Sequence, residues 1–86
     1  MQNFNGNGVL MANDIEMKGL REMRKKKGYS QLKVAMDLSI SREALSFYEN
    51  GKRSPDLQML ISMSEYFDVS IHYLVTGEEF FPKYFH

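Results

Sequence analysis

The stretch QLKVAMDLSISREALSFYEN, from Gln31 to Asn50, decides the fold of this chain. Its pattern indicates two short helices separated by a tight turn at residues 38–40. Ser30 and Ser41 precede the two helices, and a serine hydroxyl in that place accepts a hydrogen bond from an early backbone N–H. Two helices joined by so short a turn cross closely, so we predict a helix-turn-helix. The apolar residues that share one face of each helix are Val34, Ala35 and Leu38 on the first, and Leu45 and Tyr48 on the second.

Three further helices are predicted around this pair, and no alternation typical of a strand occurs between residues 14 and 77. In the fourth helix, a set of residues repeats with helical spacing, namely Leu57, Leu60, Met63, Ser64 and Phe67. We therefore predict an all-α domain over residues 14–77. The predicted helices are helix 1 from near Asp14 or one turn later to Gly28, helix 2 over residues 31–38, helix 3 over residues 42–50, helix 4 from a capping Ser54 or Asp56 to Phe67, and helix 5 from a capping Ser70 to Gly77.

The length and composition exclude several classes of protein. A chain of 86 residues holds one small domain. It has no cysteine, so neither a disulfide framework nor a thiolate metal site is available. No apolar run approaches the roughly 20 residues that span a membrane, and the first residues lack the basic start and apolar run of a signal peptide. We expect a soluble, cytoplasmic protein.

The charge is unevenly distributed, although the formal net charge of the chain is zero. Residues 18–53 contain ten basic and four acidic side chains, a net charge of +6, whereas residues 1–17 carry −2 and residues 54–86 carry −4. A basic half joined to an acidic half is typical of a domain that presents one face to phosphate and another to a different partner. A solvated helix end is the alternative explanation for the basic run at residues 24–27.

The segment from Leu20 to Gly77 resembles the phage-repressor (Xre/Cro-like) helix-turn-helix family. The resemblance covers about two thirds of the chain, and its landmarks keep the family's order and spacing. It implies a five-helix, lambda-repressor-like DNA-binding domain in which helices 2 and 3 form the helix-turn-helix. It also implies a transcriptional regulator. The landmarks are Leu20-Arg21, Gly28-Tyr29-Ser30-Gln31, Ala35, Leu38, Ile40-Ser41-Arg42, Tyr48-Glu49-Asn50-Gly51, Pro55, Val69-Ser70, Leu74 and Gly77.

Four outward residues at the start of helix 3 are candidates for reading bases, because the second helix of a helix-turn-helix lies in the major groove. The guanidinium of Arg42 can bond to guanine O6 and N7, worth about 1–3 kcal/mol of discrimination. Glu43 either accepts from a cytosine amino group or holds Arg42 in place. Ser46 can donate to a base or a phosphate. Phe47 contacts a thymine methyl group or packs against the loop after helix 3.

Six residues are candidates for contacts to phosphate, which position a protein without carrying sequence information. Gln31 opens helix 2, where its amide and the helix's free N–H groups can meet a phosphate oxygen, and the family resemblance implies the same role. The resemblance likewise implies a phosphate contact for Asn50. Lys33 replaces a glutamate common in the family, which favours a phosphate contact there. The full set is Gln31, Lys33, Ser41, Asn50, Lys52 and Arg53.

Two other features follow from the resemblance. Arg24 and Glu49 correspond to a partly buried salt bridge that joins helix 1 to helix 3 in related domains, so their expected role is structural. Ser39 stands where the family usually has glycine in the turn. Either its backbone adopts a positive φ, at a cost of roughly 1 kcal/mol, or the turn has a different geometry.

The two ends of the chain are predicted to lie outside the domain. Residues 1–13 are expected to form a flexible arm. Residues 78–86, EEFFPKYFH, carry too many aromatic side chains for a disordered acidic tail, so they either fold back on the domain or meet another subunit. A repressor that binds a palindromic operator needs a homodimer. An antitoxin, or another regulator that grips a protein partner, would use the same extension to hold that partner.

An enzyme is not expected from this sequence. The two histidines, His72 and His86, have no paired nucleophile, and no glycine-rich phosphate loop follows a strand. The seven methionines are better explained as core residues at helical positions than as metal ligands. We therefore predict no cofactor and no metal, and a sequence-specific double-stranded DNA-binding regulator, most consistent with a repressor.

Overall fold

Five α-helices and no strand make up the part of the protein that the computed structural model describes, residues 15–79. The predicted all-α fold is thereby confirmed. The predicted arm at residues 1–13 and the aromatic residues from Phe80 onward lie outside the described residues. The helices are α1 (Lys18–Lys26), α2 (Gln31–Asp37), α3 (Arg42–Glu49), α4 (Leu57–Phe67) and α5 (Ile71–Thr76).

Side-chain caps fix the start of every helix but the first. The oxygen of the residue before each helix accepts a hydrogen bond from a backbone N–H of the first turn, satisfying a donor that has no partner inside the helix. Helix α1 begins at Lys18, one turn after Asp14, and Met17 before it provides no side-chain cap. The capping bonds are Ser30 to Lys33 N at 3.0 Å, Ser41 to Ala44 N at 2.9 Å, Asp56 to Met59 N at 2.8 Å and Ser70 to Tyr73 N at 2.9 Å.

The turn of the helix-turn-helix contains a left-handed serine. Ser39 has a φ of 60°, so the first of the two predicted alternatives for this turn is correct. The Ile40 N–H donates to the Ala35 carbonyl at 2.9 Å and closes the turn. The strain at Ser39, about 1 kcal/mol or slightly more, is offset by the close crossing of α2 and α3 that the turn permits.

The hydrophobic core lies between the five described helices. Met17, before α1, is buried with residues from every helix, and Ala35 at the crossing of α2 and α3 is only 1% exposed. A small side chain at that point lets the two helix axes approach. The buried apolar residues are Met17, Leu20, Val34, Ala35, Leu45, Met63, Phe67 and Leu74.

One apolar residue of the repeat in α4 lies outside the core. Leu57 follows the helical spacing of α4, yet its side chain is 68% exposed. It is the first residue of the helix, so it lies beyond the edge of the core that Met63 and Phe67 enter. Ile61, one turn further on, is also exposed. Leu57 and Ile61 therefore form an apolar pair on the outer surface of α4.

Gly19 allows the closest approach between two helices. A Cβ at this position would lie 1.7 Å from the carbonyl oxygen of Tyr73 in α5. Glycine in a helix interior normally lowers stability by about 1 kcal/mol relative to alanine. Here its missing side chain is what lets α1 pack against α5.

We expect Gly19→Ala to lower the free energy of unfolding by about 1–3 kcal/mol or more, because overpacking against backbone cannot be relieved by a rotamer change. Urea denaturation of the two proteins measures this difference. Lys25→Ala, on the exposed side of the same helix, is the matched control and should change stability by less than about 0.5 kcal/mol. An increased free energy of unfolding in Gly19→Ala would contradict this, because it would show that α1 and α5 can move apart without a loss of stability.

A polar contact joins the end of α2 to α4. The Tyr66 hydroxyl donates to Asp37 Oδ2 at 2.5 Å, and Lys33 Nζ donates to the same oxygen at 3.0 Å. The hydrogen bond from Tyr66, followed by that from Lys33, holds the pKa of Asp37 below its usual value. Burial and then the contact with Asp37 raise the pKa of Tyr66 to about 12.

The raised pKa of Tyr66 predicts a loss of stability in alkaline solution. Because the folded pKa lies above the unfolded value of about 10, this contribution is complete below pH 10 and disappears as the pH rises toward 12. The difference in Tm between the protein and Tyr66→Phe should therefore be constant between about pH 5 and pH 10, where Asp37 is ionised, and shrink above pH 10. Thermal melts followed by circular dichroism test this, and a difference that persists unchanged at pH 12 would contradict it.

Candidate nucleic-acid interface

The outer face of α3 carries all four residues predicted to read bases. Leu45 and Glu49, four residues apart, occupy the buried face of the helix. The four predicted residues lie on the face beside this buried stripe, and Arg42, about two turns before Glu49, lies nearest to it. On this face Arg42 and Glu43 are exposed, and Ser46 and Phe47 are half-buried.

Arg42 is held by a residue from the preceding helix. Its Nη1 donates to Gln31 Oε1 at 3.3 Å, and Gln31 Nε2 donates to Glu49 Oε1 at 3.1 Å. Gln31 was predicted to touch phosphate and Arg42 to touch a base. The fold brings these two side chains together, because α2 and α3 begin on the same side of the domain.

Glu49 is the acceptor at the centre of this arrangement. Its side chain is 1% exposed, and Arg24, whose side chain is 12% exposed, donates to both carboxylate oxygens at 2.6 and 3.0 Å. Such a fork-shaped pair is among the strongest hydrogen-bonded contacts between side chains. Arg24 also donates to the Tyr29 carbonyl at 3.0 Å. The predicted salt bridge between helix 1 and helix 3 is confirmed.

Arg21 provides a second link from α1 to α3. Its Nη2 donates to the Glu49 carbonyl at 3.0 Å and to Asn50 Oδ1. Asn50 Nδ2 in turn donates to the carbonyl oxygen of Ser46 at 2.9 Å and to Ser46 Oγ at 3.2 Å. Two predicted contact residues, Ser46 and Asn50, are thereby joined to each other.

Sequence reasoning assigned no role to Arg21. The signal was present, because Arg21 and Arg24 lie three residues apart and share one face of α1. The sequence pattern did not identify the partners of Arg21, since only the fold brings α1 against the end of α3. We refer to Arg21, Arg24 and Glu49 as the ionic cluster.

The other residues predicted to contact phosphate differ in whether their polar groups already have partners within the domain. Lys52 and Arg53 are exposed in the loop after α3, where the Lys52 N–H donates to the Phe47 carbonyl at 2.9 Å. Ser41 caps α3 with its oxygen and keeps its hydroxyl hydrogen for another acceptor. Lys33 is engaged elsewhere, with Asp37 and with the Tyr29 ring, whose centroid lies 4.8 Å from the ammonium.

Residues 15–79 lack the features of two other kinds of site, a metal centre and a membrane span. No group of three histidine, aspartate or glutamate side chains in this range is arranged to hold a metal ion. None of the helices described here has the length and apolar character needed to cross a membrane. The polar constellation around α3 is therefore the candidate site that the described part of the chain offers.

A helix-turn-helix family model matches residues 20–74. The chain belongs to the helix-turn-helix family. The predicted family resemblance is thus confirmed, and the match covers all of α2 and α3 together with the ionic cluster.

Relatives in this helix-turn-helix family are named as regulators of transcription. The chain is 44% identical over 59 residues to the uncharacterized HTH-type transcriptional regulator YqaE of Bacillus subtilis, covering 69% of this chain and 51% of that protein. It is 39% identical over 66 residues to the HTH-type transcriptional regulator ImmR of the same organism, covering 77% of this chain and 52% of ImmR. The chain therefore spans about half the length of these curated relatives.

A solved structure of similar fold is the restriction-modification controller protein C.AhdI from Aeromonas hydrophila. It superposes with a TM-score of 0.60 at 28% sequence identity, over 66% of this chain and 86% of that chain. The five-helix helix-turn-helix fold is shared over this region.

The ionic cluster generates a prediction about stability. In Glu49→Gln, the Arg24 guanidinium loses its counter-ion in a poorly solvated place, so the free energy of unfolding should fall by about 3 kcal/mol. Glu16→Gln is the matched control, because the exposed Glu16–Arg21 pair, at 3.5 Å, is worth about 0–1 kcal/mol. Urea denaturation of both variants measures the difference. If Glu49→Gln and Glu16→Gln lower the free energy of unfolding by equally small amounts, the ionic cluster is fully hydrated and the prediction is wrong.

Proposed function

We propose that this protein is a sequence-specific, double-stranded DNA-binding regulator of transcription that reads the major groove with α3. The observation that carries the proposal is the exposed face of α3, where Arg42 is held at the start of the helix by Gln31. Membership in the helix-turn-helix family and the names of the curated relatives support it. The proposed activity is binding, with no catalytic step, and it takes place in the cytoplasm.

Direct reading of bases is assigned to the four residues on the outer face of α3. Arg42 keeps four N–H groups besides the one that Gln31 accepts, which suffices for a bidentate contact to guanine O6 and N7. Glu43 faces solvent one residue later and accepts from a cytosine amino group. Ser46 offers a hydroxyl group, and Phe47 contacts a thymine methyl group.

Contacts to phosphate are assigned to residues around the start and the end of α3. Gln31 donates one amide hydrogen to Glu49 and retains the second for a phosphate oxygen. Ser41 donates its hydroxyl hydrogen, and Lys52 and Arg53 reach the backbone from the loop. The sequence also predicted phosphate contacts for Lys33 and Asn50, whose polar groups already have partners within the domain. Lys33 joins the proposed set after releasing Asp37, and Asn50 is left out of it.

The operator is proposed to be palindromic and the protein a homodimer that represses transcription. One α3 contacts only a few base pairs, so two copies on half-sites about 34–36 Å apart are needed for a specific site. The exposed Leu57 and Ile61 on α4 offer apolar surface for contact between proteins.

The alternative function is that of an antitoxin or another regulator that grips a protein partner. The exposed apolar side chains favour it, because Leu32 and Met36 on α2, the latter 69% exposed, add to the pair on α4. Such a regulator would use the same domain to bind its own promoter.

The test is selection of bound sequences from random duplex DNA, performed with the wild type and Arg42→Ala. We expect the wild type to enrich a two-fold motif, and Arg42→Ala to lose discrimination at one position of each half-site by about 1–3 kcal/mol. Affinity of the wild type should also fall steeply with salt, because phosphate contacts release counterions.

Lys52→Ala is the control for this experiment. It removes a proposed phosphate contact, so it should weaken binding to all sequences alike, reduce the salt slope by about 1 and leave the motif unchanged. Failure of the wild type to enrich any motif would contradict DNA reading by α3 and favour the protein-binding alternative.

A further inference from the structure

We propose that the ionic cluster of Arg21, Arg24 and Glu49 determines what α3 presents to DNA, by fixing the orientation of two amide side chains, Gln31 and Asn50. This inference rests on the proposed function. It makes Gln31 and Asn50 positioning residues that act through Arg42 and Ser46. It also gives Asn50 a role other than the phosphate contact expected from the sequence.

The orientation of the Gln31 amide follows from the chemistry of its two neighbours. An ionised carboxylate only accepts hydrogen bonds, and a guanidinium only donates them. The Gln31 NH2 group must therefore face Glu49, at 3.1 Å, and its carbonyl oxygen must face Arg42, at 3.3 Å. The reverse orientation would set oxygen against carboxylate and N–H against guanidinium. By orienting the Gln31 amide, Glu49 places the Gln31 carbonyl oxygen where it accepts from Arg42.

The orientation of the Asn50 amide follows in the same way from Arg21. The guanidinium of Arg21 donates to Oδ1, so the NH2 group of Asn50 must point to the other side, toward Ser46. There Nδ2 donates to the Ser46 carbonyl oxygen at 2.9 Å and to Ser46 Oγ at 3.2 Å. Arg21 is itself held by the Glu49 carbonyl at 3.0 Å.

The donation from Asn50 determines the state of the Ser46 hydroxyl group. A serine hydroxyl has one hydrogen and two lone pairs. With one lone pair occupied by Asn50, the hydrogen is directed away from it, and within residues 15–79 that hydrogen has no acceptor. Ser46 therefore offers a hydrogen-bond donor from the outer face of α3.

The consequence is a surface that presents donors at both of these positions. Arg42 and Ser46 both favour acceptor atoms in the major groove, which are guanine O6 and N7, adenine N7 and thymine O4. Both discriminate against a cytosine edge, which offers only an amino donor there. The ionic cluster thus contributes to specificity without touching DNA.

The experiment compares four full-length proteins in selection from random duplex DNA: the wild type, Ser46→Ala, Asn50→Ala and the double variant. If Asn50 acts through Ser46, Asn50→Ala and Ser46→Ala relax the same position of the half-site, by about two- to tenfold, the worth of one hydrogen bond. The double variant then resembles Ser46→Ala alone. The salt slope of Asn50→Ala equals that of the wild type.

Three results would overturn the proposal. In the first, Asn50→Ala weakens binding to all sequences alike with a smaller salt slope, as Lys52→Ala does, which identifies a direct phosphate contact. It could relax base preference equally in the Ser46→Ala background, which identifies a route that bypasses Ser46. A change of preference in neither single variant would remove the role of Ser46. A wild type that enriches no motif fails at an earlier step, and there the proposed function falls together with this inference.

Folding is monitored by thermal melts of each variant. Asn50→Asp serves where Asn50→Ala unfolds, because aspartate keeps the acceptor for Arg21 and lacks the N–H groups that reach Ser46. Its added charge lowers overall affinity, so base preference is compared after normalising to total binding. We expect it to relax the same half-site position as Ser46→Ala. An unchanged preference in Asn50→Asp would overturn the proposal.

The proposal that Gln31 acts through Arg42 is tested in the same way. Gln31→Leu removes both the acceptor for Arg42 and the donor to Glu49 while keeping a side chain of similar size. Base preference should relax at the position that Arg42→Ala identifies, and Gln31→Leu should add nothing in the Arg42→Ala background. A further loss of preference in that background would show that Gln31 reads DNA by itself.

Discussion

The carboxylate of Glu49 is the group on which the described structure depends most. It lies at the last residue of α3, where the negative end of the helix dipole makes an anion unfavourable, and it is removed from water. Both costs are offset by donors from two other helices, the fork of Arg24 in α1 and the amide of Gln31 in α2. The three helices are therefore fixed relative to one another by one acceptor. No buried side-chain nitrogen or oxygen in the described residues is left without a partner.

The internal use of arginine also changes how the charge pattern should be interpreted. Two of the ten basic residues between positions 18 and 53, Arg21 and Arg24, are bonded to Asn50 and Glu49 within the domain, so they contribute less to an exposed basic surface than their number suggests. Lys33 is neutralised by Asp37. The exposed cations on α3 and in the loop after it are Arg42, Lys52 and Arg53. The proposed binding of phosphate is compatible with a net charge of zero, because these cations lie on α3 and in the loop after it while residues 1–17 and 54–86 carry the net negative charge.

The helices could be predicted from the sequence because their signals are local. Serine and aspartate caps, glycine stops and helical spacing each act within a few residues, and they gave the order and type of all five helices. The exposure of Leu57 could not be predicted, since periodicity says which side of a helix is apolar and not how far the core extends along it. The close approach at Gly19 was missed for a related reason. Its partner, the Tyr73 carbonyl, lies 54 residues away in sequence.

The candidate site was predictable in its residues but not in its connections. Arg42, Ser46, Gln31 and Asn50 were identified by position and by resemblance, each as a separate contact. In the fold, Gln31 contacts Arg42 and Asn50 contacts Ser46, and both pairs are linked to the buried residue Glu49. The contacts that stabilise the domain therefore also involve the residues proposed to recognise DNA. Under the proposed function, a substitution in the ionic cluster alters both the packing of α1 on α3 and the two amides that contact Arg42 and Ser46. Readout can change independently of stability only at side chains outside this set, of which Glu43 and Phe47 are the two on the outer face of α3.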